Sequence, residues 1–327
     1  MKTLKKYKLG LVLRSILLFL VLGVGVLFFS NYFITAYEES EYQPLGEMVE
    51  VGGQNMHVYT KGQGENTIVL LSGLGTAAPV LDFEPLVNEL SKHHKVAVVE
   101  LPGYGWSDQT DKKRSVENIV EEIRTALKKS NVQGPYILMP HSISGIYSVY
   151  FADNYPEEVK AIVGIDPTLP QALEYFGETP PTMPSYFSAI APSGIARLAL
   201  TVSPGSFLPL AEDGTYSEEN LKMTTAISSW RGYNTNVIDE TNEIKNNINK
   251  TRDIKLPSTM PVLIFTPEID KPTDDGKSKK TFYETQLTDS PSSKVVILRG
   301  HHSLHWTRAM DITKEVEEFI KSSASVH

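Results

Sequence analysis

The stretch Leu138-Met139-Pro140-His141-Ser142-Ile143-Ser144-Gly145-Ile146 carries a candidate nucleophile. An apolar, strand-like run leads straight into a serine flanked by small residues, and a helical pattern begins immediately afterwards. Such a turn admits only small side chains and lifts the serine hydroxyl above a sheet at a helix N-terminus, the arrangement of a nucleophile elbow. Choosing Ser144 would put Ile146 where the turn has no room for a branched side chain, whereas Ser142 puts Ser144 and Gly145 there, so Ser142 is the expected nucleophile. A serine attacks only when a base takes its proton. His301, His302 and His305 follow a strand-like run at 294–298 and supply that base. The same trio could ligate a metal, but no second cluster of motif spacing completes such a site, and no metal is expected. Carboxylates that could orient the base follow two other apolar runs: Asp166 after Gly164-Ile165, and Asp270, Asp274 and Asp275 after 261–267. Their spacing is not that of a calcium loop.

These groups need a frame. From Met48 onward, short β-branched runs alternate with amphipathic helical stretches, the signature of a mostly parallel sheet flanked by helices. Runs at 49–51 and 56–59, broken by Gly52-Gly53, read as a hairpin; 67–71, 96–100, 136–139, 161–165, 262–265 and 295–298 read as buried strands. Ser115 is the expected N-cap of a helix with Glu117 and Glu121 near its start and Lys128-Lys129 near its end. Asp311 to Lys321 reads as a closing helix. Between Thr168 and Leu256 the strand signal disappears in favour of prolines, aromatic residues and polar helical pattern, read as a lid or decoration. The expected organisation is a core from 48–167 and 257–327 with a cap inserted at 168–256.

Ahead of the core, Lys2, Lys5, Lys6, Lys8 and Arg14 precede an uncharged run, 15–37, and Glu38, Glu39 and Glu41 follow it. That run is long enough to cross about 30 Å of hydrocarbon. The basic end at 1–14 is expected to stay in the cytoplasm, which puts the linker at 38–47 and everything beyond it on the outer face of the cell membrane. A secreted protein released by signal cleavage is the alternative, although no good small-x-small cleavage site follows the run. The remaining composition is that of a globular domain: 41% apolar and 21% charged residues can build a core, in about two domains. A net charge of −8 argues against nucleic acid as a partner. The absence of cysteine removes thiolate metal sites, disulfides and cysteine nucleophiles.

From Met48 to the end the chain resembles the α/β-hydrolase fold superfamily, in its serine hydrolase branch. The family's elbow is Gly-x-Ser-x-Gly; here His141, Ser142 and Gly145 are kept, and Pro140 and Ser144 replace the outer glycines. Leu70-Leu71-Ser72-Gly73-Leu74-Gly75 is similar to the family's His-Gly loop, with Ser72 in place of the histidine, and implies an oxyanion hole from the backbone N–H groups of Leu74 and Ile143. Glu100 to Asp108 is similar to a family loop of structural role. The family's chain order, serine then acid then histidine, implies Asp270 as the triad acid, with Asp274, Asp275 or Asp166 as substitutes; the family's Asp at position 166 is more often structural. Its Gly-x-His-x-x-His pattern implies His302 as the base, with His301 as fallback.

The resemblance implies an extracytoplasmic serine hydrolase that cleaves carboxylic esters through an acyl-enzyme, with a small-molecule ester or acyl substrate and no cofactor. The glycines at 73 and 75 lack the third member of a dinucleotide fingerprint. A serine nucleophile argues against the dehalogenase and epoxide hydrolase branches, which need a carboxylate there. Alternatives are an aminopeptidase of the proline iminopeptidase type, for which Glu174, Glu178, Glu212 and Asp213 could hold a free amine, an envelope acyltransferase, and a non-catalytic binding module on the same fold.

Overall fold

Eight strands form one twisted sheet in the order β1-β2-β4-β3-β5-β6-β7-β8. The strands are β1 (Glu47–Val51), β2 (Gln54–Lys61), β3 (Thr67–Leu71), β4 (Lys95–Val99), β5 (Tyr136–Pro140), β6 (Val159–Ile165), β7 (Val262–Pro267) and β8 (Lys294–Leu298). In this computed structural model the described residues are 2–324, apart from 204, 206, 207, 210, 213 and 269–275. Only β1 and β2 pair antiparallel, β1 with β2 and β2 with β4; the remaining strands run parallel. Parallel strands buried on both faces read as unbroken apolar runs, and β3, β5 and β7 are buried at every position.

Helices cover both faces: α2 (Pro79–Asp82), α3 (Glu84–Leu90), α4 (Val116–Lys129), α5 (Ser144–Asn154), α10 (Lys279–Glu284) and α11 (Ala309–Ala324). The Ser115 hydroxyl caps α4 by accepting from Asn118 N. Between β6 and β7 the chain leaves the sheet and forms α6 (Ala172–Phe176), α7 (Ile195–Val202), α8 (Glu218–Arg231) and α9 (Thr235–Thr251). The first helix, α1 (Lys2–Glu41), stands ahead of the sheet, and its large apolar side chains from Leu11 to Tyr37 are exposed, while Asn31 is buried.

Two core clusters sandwich the sheet. One centres on α4 and α5, with Ile119, Ile123, Ile146 and Phe151; the other on α3 and α11, with Phe83, Leu86, Ile312 and Phe319. The loop after β4 holds a buried carboxylate between them. Glu100 accepts from Val80 N at 3.2 Å and Trp106 N at 2.8 Å, and its Oε2 lies 3.0 Å from His57 Nδ1. That loop is therefore structural, and His57 is a fully buried partner within it. Because Val80 opens α2, the same carboxylate fixes the segment that walls the cavity described below. Glu100→Ala orphans two buried amides and an imidazole nitrogen at about 1–3 kcal/mol each. A loss of at least about 3 kcal/mol is expected in urea unfolding, and a loss below 1 kcal/mol would show the loop to be held by other contacts.

Candidate active site

β5 and α5 build the elbow. Ser142 sits between them at φ 52°, a left-handed conformation unusual for a side-chain-bearing residue and stored at functional turns. The turn is locked on both sides: His141 N donates to Leu71 O on β3 at 2.8 Å, Ser142 N to Ile165 O on β6 at 3.3 Å, and Thr168 N to Ser142 O at 2.7 Å. Pro140 fits because of where the pairing lapses. On the β6 side the ladder pairs Leu138 with Ile162 and resumes only at His141 with Ile165, so proline's missing N–H falls in the gap. Gly145 is required by a close approach, since a Cβ there would lie 2.6 Å from Thr168 O.

The competing serine is occupied. Ser144 is 1% exposed, and its Oγ donates to Ser72 O at 2.5 Å, tying the elbow to the loop after β3. Gly73 in that loop packs against the elbow, where a Cβ would lie 2.8 Å from His141 Nδ1 and 3.2 Å from Ser142 Cβ. The two amides implied as an oxyanion hole, Leu74 N and Ile143 N, have no hydrogen-bond partner among the described residues. Gly75 N is held by Tyr104 Oη at 3.1 Å, and that hydroxyl donates to Glu240 Oε2 on α9 at 2.8 Å.

His302 meets Asp166. The imidazole Nδ1–H donates to Asp166 Oδ2 at 2.5 Å, and the carboxylate also accepts from Lys279 Nζ at 2.6 Å and from Tyr283 Oη, through Oδ1, at 3.0 Å. Lys279 and Tyr283 are four residues apart on α10, hence on one face, and Ser278 caps that helix through a capping box with Thr281. Asp166 immediately follows β6 at φ 41° with 1% exposure. Burial alone pushes its carboxyl up; hydrogen bonding from His302 and the charges of Lys279 and His302 outweigh this and hold it below the ordinary carboxylate value. Asp270, Asp274 and Asp275 lie outside the described residues. His301 Nδ1 accepts from Ser303 N at 3.1 Å.

His305 turns away from His302 to another carboxylate. Its Nε2 lies 2.7 Å from Asp82 Oδ2, and Trp306 Nε1 donates to Asp82 Oδ1 at 2.7 Å. Nothing in the local spelling of α2 announces this pair, because its members are separated by more than two hundred residues. Among the described residues no three His, Asp or Glu side chains gather as a metal site.

Ser142 and His302 open into one cavity of about 630 Å³, whose walls include Leu74, Ala196, Ala199, Leu200 and Trp306. That volume and apolar lining suit a small organic ligand. A second cavity, about 340 Å³ between Leu169, Ile254 and Leu287, contains none of the candidate groups.

His141 is the buried neighbour of this site, with ring centroids 4.7 Å from both His302 and His305. Burial first, then the charges of His305 and His302, push its pKa well below the ordinary 6.5. The unfolded chain therefore binds a proton that the folded chain refuses, and stability present above pH 6.5 is lost as pH falls below it. Urea unfolding should show a shallower loss between pH 7.5 and 5 in His141→Gln than in wild type; equal slopes would remove His141 as a source of the acid sensitivity.

Comparison with known proteins agrees with this fold. A family model of the alpha/beta hydrolase fold matches residues 66–309. YbdG, a protein of Bacillus subtilis described as uncharacterized, is 31% identical over 98% of this chain and 99% of its own. A pimeloyl-[acyl-carrier protein] methyl ester esterase of Hamiltonella defensa is 30% identical, over 34% of this chain and 40% of its own. Among solved structures, an epoxide hydrolase of Vigna radiata superposes with a TM-score of 0.64 at 19% identity, covering 84% of this chain and 97% of that one. A strand-turn-helix elbow on a sheet of this order, matched by a family model across most of the chain, makes this protein a member of the α/β-hydrolase fold family.

Proposed function

We propose that the protein is a serine hydrolase that cleaves carboxylic esters at Ser142, anchored in the cell membrane by α1 with its catalytic body on the outer face. The observation that carries this reading is the His302–Asp166 hydrogen bond of 2.5 Å at the rim of the cavity that also exposes Ser142. Asp166 takes the acid's role in place of Asp270 on the strength of that contact. With Nδ1–H committed to the carboxylate, His302 Nε2 is the lone-pair nitrogen that accepts the Ser142 proton. The serine oxygen attacks the ester carbonyl, and the developing oxyanion is met by the Leu74 and Ile143 amides, which have no hydrogen-bond partner among the described residues. His302 returns the proton to the departing alkoxide. It then takes one from water as the acyl-enzyme is hydrolysed, which restores the serine and releases the acid.

The aminopeptidase reading loses support from the cavity wall. Glu174, Glu178 and Glu212 are exposed and line no part of it, and Asp213 lies outside the described residues. The carboxylate that does reach the wall, Asp82, is already bound by His305 and Trp306. The methyl ester esterase relative supports an ester substrate, and the serine at the elbow supports an acyl-enzyme.

Ser142→Ala and His302→Ala are each expected to lower kcat on a short-chain ester by about 10⁶-fold, with little further loss in the double variant, because the groups act as a unit. Asp166→Asn is expected to cost about 10⁴-fold. A fluorophosphonate probe should label wild type and Ser144→Ala but not Ser142→Ala. Retention of full activity in Asp166→Asn, with loss in Asp270→Asn, would return the acid to the strand end after β7.

A further inference from the structure

The outer end of α1 is not a free stalk. Leu27, Asn31, Thr35 and Glu38 recur at i, i+4, i+8 and i+11, one face of the helix, and that face is docked on the insertion between β6 and β7. Asn31 is 6% exposed; its Nδ2 donates to Ala191 O at 3.1 Å, and its Oδ1 accepts from Arg197 Nε at 2.9 Å. The Arg197 guanidinium then forks onto Glu38, with 2.7 Å to each oxygen, and reaches Thr35 Oγ1 at 3.2 Å. Trp230 Nε1 on α8 donates to the same Glu38 carboxylate at 3.0 Å. At the start of α7, Gly194 approaches so closely that a Cβ there would lie 3.0 Å from Leu27 O.

These contacts fix the depth of α7. Hydrocarbon about 30 Å thick takes about 20 helical residues. Counted from the residue after Lys8 or from the residue after Arg14, the last basic side chains, its outer edge falls between Phe28 and Ile34. The contact of Gly194 with Leu27 and Asn31 lies at that edge, so α7 begins there. Its composition fits such a level: Ile195, Leu198 and Val202, at i, i+3 and i+7, are 53%, 48% and 77% exposed. In the same insertion Tyr186, 72% exposed, stacks on Phe187, which meets Tyr233 edge-on, and tyrosine is a residue of membrane–water interfaces. Ala196, Ala199 and Leu200 on the same helix wall the Ser142 cavity, so one helix separates that cavity from the apolar outer stripe. Ile195 and Tyr233 belong to both surfaces and mark the rim.

We propose that α7 lies in the hydrocarbon–headgroup boundary of the bilayer that α1 spans, so that the Ser142 cavity draws its substrate from the leaflet. The substrate class is an amphiphile whose carboxylic ester sits at the boundary and whose acyl chain enters between Ile195 and Tyr233. This rests on the readings of α1 as an anchor and of the chain as an ester hydrolase. The occupant of the stripe is a lipid surface because Gly194 and Arg197 hold α7 level with the outer end of α1, the helix read as the anchor.

The chain has no cysteine, so single-cysteine variants can be labelled cleanly. Full-length Val202→Cys, Val21→Cys and Lys128→Cys would carry an environment-sensitive fluorophore in phosphatidylcholine–phosphatidylglycerol vesicles containing spin-labelled lipid. The label at 202 should be quenched by lipids spin-labelled near the headgroup at least about three-fold more than the label at 128, as an interfacial helix requires. A label at 202 no more quenched than that at 128, while the label at 21 is quenched by deep spin labels, would overturn the placement of α7 and leave the anchor standing. An unquenched label at 21 would overturn the anchor and the placement together. Self-quenching between labels at 202, without quenching by lipid, would assign the stripe to a second copy of the chain.

The activity arm uses Leu198→Glu/Val202→Glu, outside the cavity wall. Hydrolysis of a long-chain ester embedded in vesicles should fall about ten-fold, while turnover of a soluble short-chain ester stays within about two-fold, because two carboxylates disfavour burial in the boundary without touching the reacting groups. Equal loss on both esters would overturn supply from the leaflet. Wild type inactive on both esters, with the label at 202 quenched, would overturn the hydrolase reading and the substrate class while supporting the depth of α7.

Discussion

A carboxylate taken almost wholly out of water must be compensated where it stands, and Asp166 is compensated by three groups that converge from two parts of the chain. Lys279 and Tyr283 reach it from α10, and His302 reaches it from the loop after β8. Desolvation disfavours its charge, and only this convergence of donors keeps it ionised. The geometry of the reacting groups depends on that point. Asp166 follows β6, which pairs with β5, and β5 leads into Ser142; the proposed acid and nucleophile are thus neighbours across one strand spacing.

The loop after β3 depends on a second buried carboxylate. Glu240 on α9 accepts from Tyr104 at 2.8 Å and Tyr147 at 2.7 Å, and Tyr104 in turn accepts from Gly75 N beside Leu74. Burial pushes the Glu240 carboxyl up against the pull of Arg114, and the two tyrosines are pushed well above their usual values by burial and by Glu240. The loop that carries Leu74 is therefore clamped by a helix of the insertion as well as by the sheet. Motion of α9 would be felt at Leu74 through two hydrogen bonds, a short and stiff route.

Ser144 shows how a departure from a family pattern can be structural. A glycine in its place would leave the Ser72 carbonyl without the hydroxyl that now meets it at 2.5 Å. The serine keeps the turn small and adds a link between the start of α5 and the loop after β3. Pro140 is absorbed by a lapse in pairing that the sheet already contains. The elbow thus loses two glycines of the pattern and keeps its geometry.

Local pattern fixed what depends on local forces. The apolar runs at 67–71, 136–139 and 262–265 are strands because their side chains are buried on both faces, Ser115 caps α4, the small residues after Ser142 bracket the elbow, and the apolar run at 15–37 lies within one long helix. The choice of partner across long separations was not local. Several aspartates followed strand-like runs, and spelling alone could not say that Asp166 would lie beside His302. That depended on β6 lying next to β5 and on α10 turning Lys279 and Tyr283 inward. The same holds for His305 with Asp82, for His57 with Glu100 and for Arg197 with Glu38. Hydrophobic periodicity determines which residues leave water; only the packed chain decides which buried charges then find each other, because a charge must be paired across space and not along sequence.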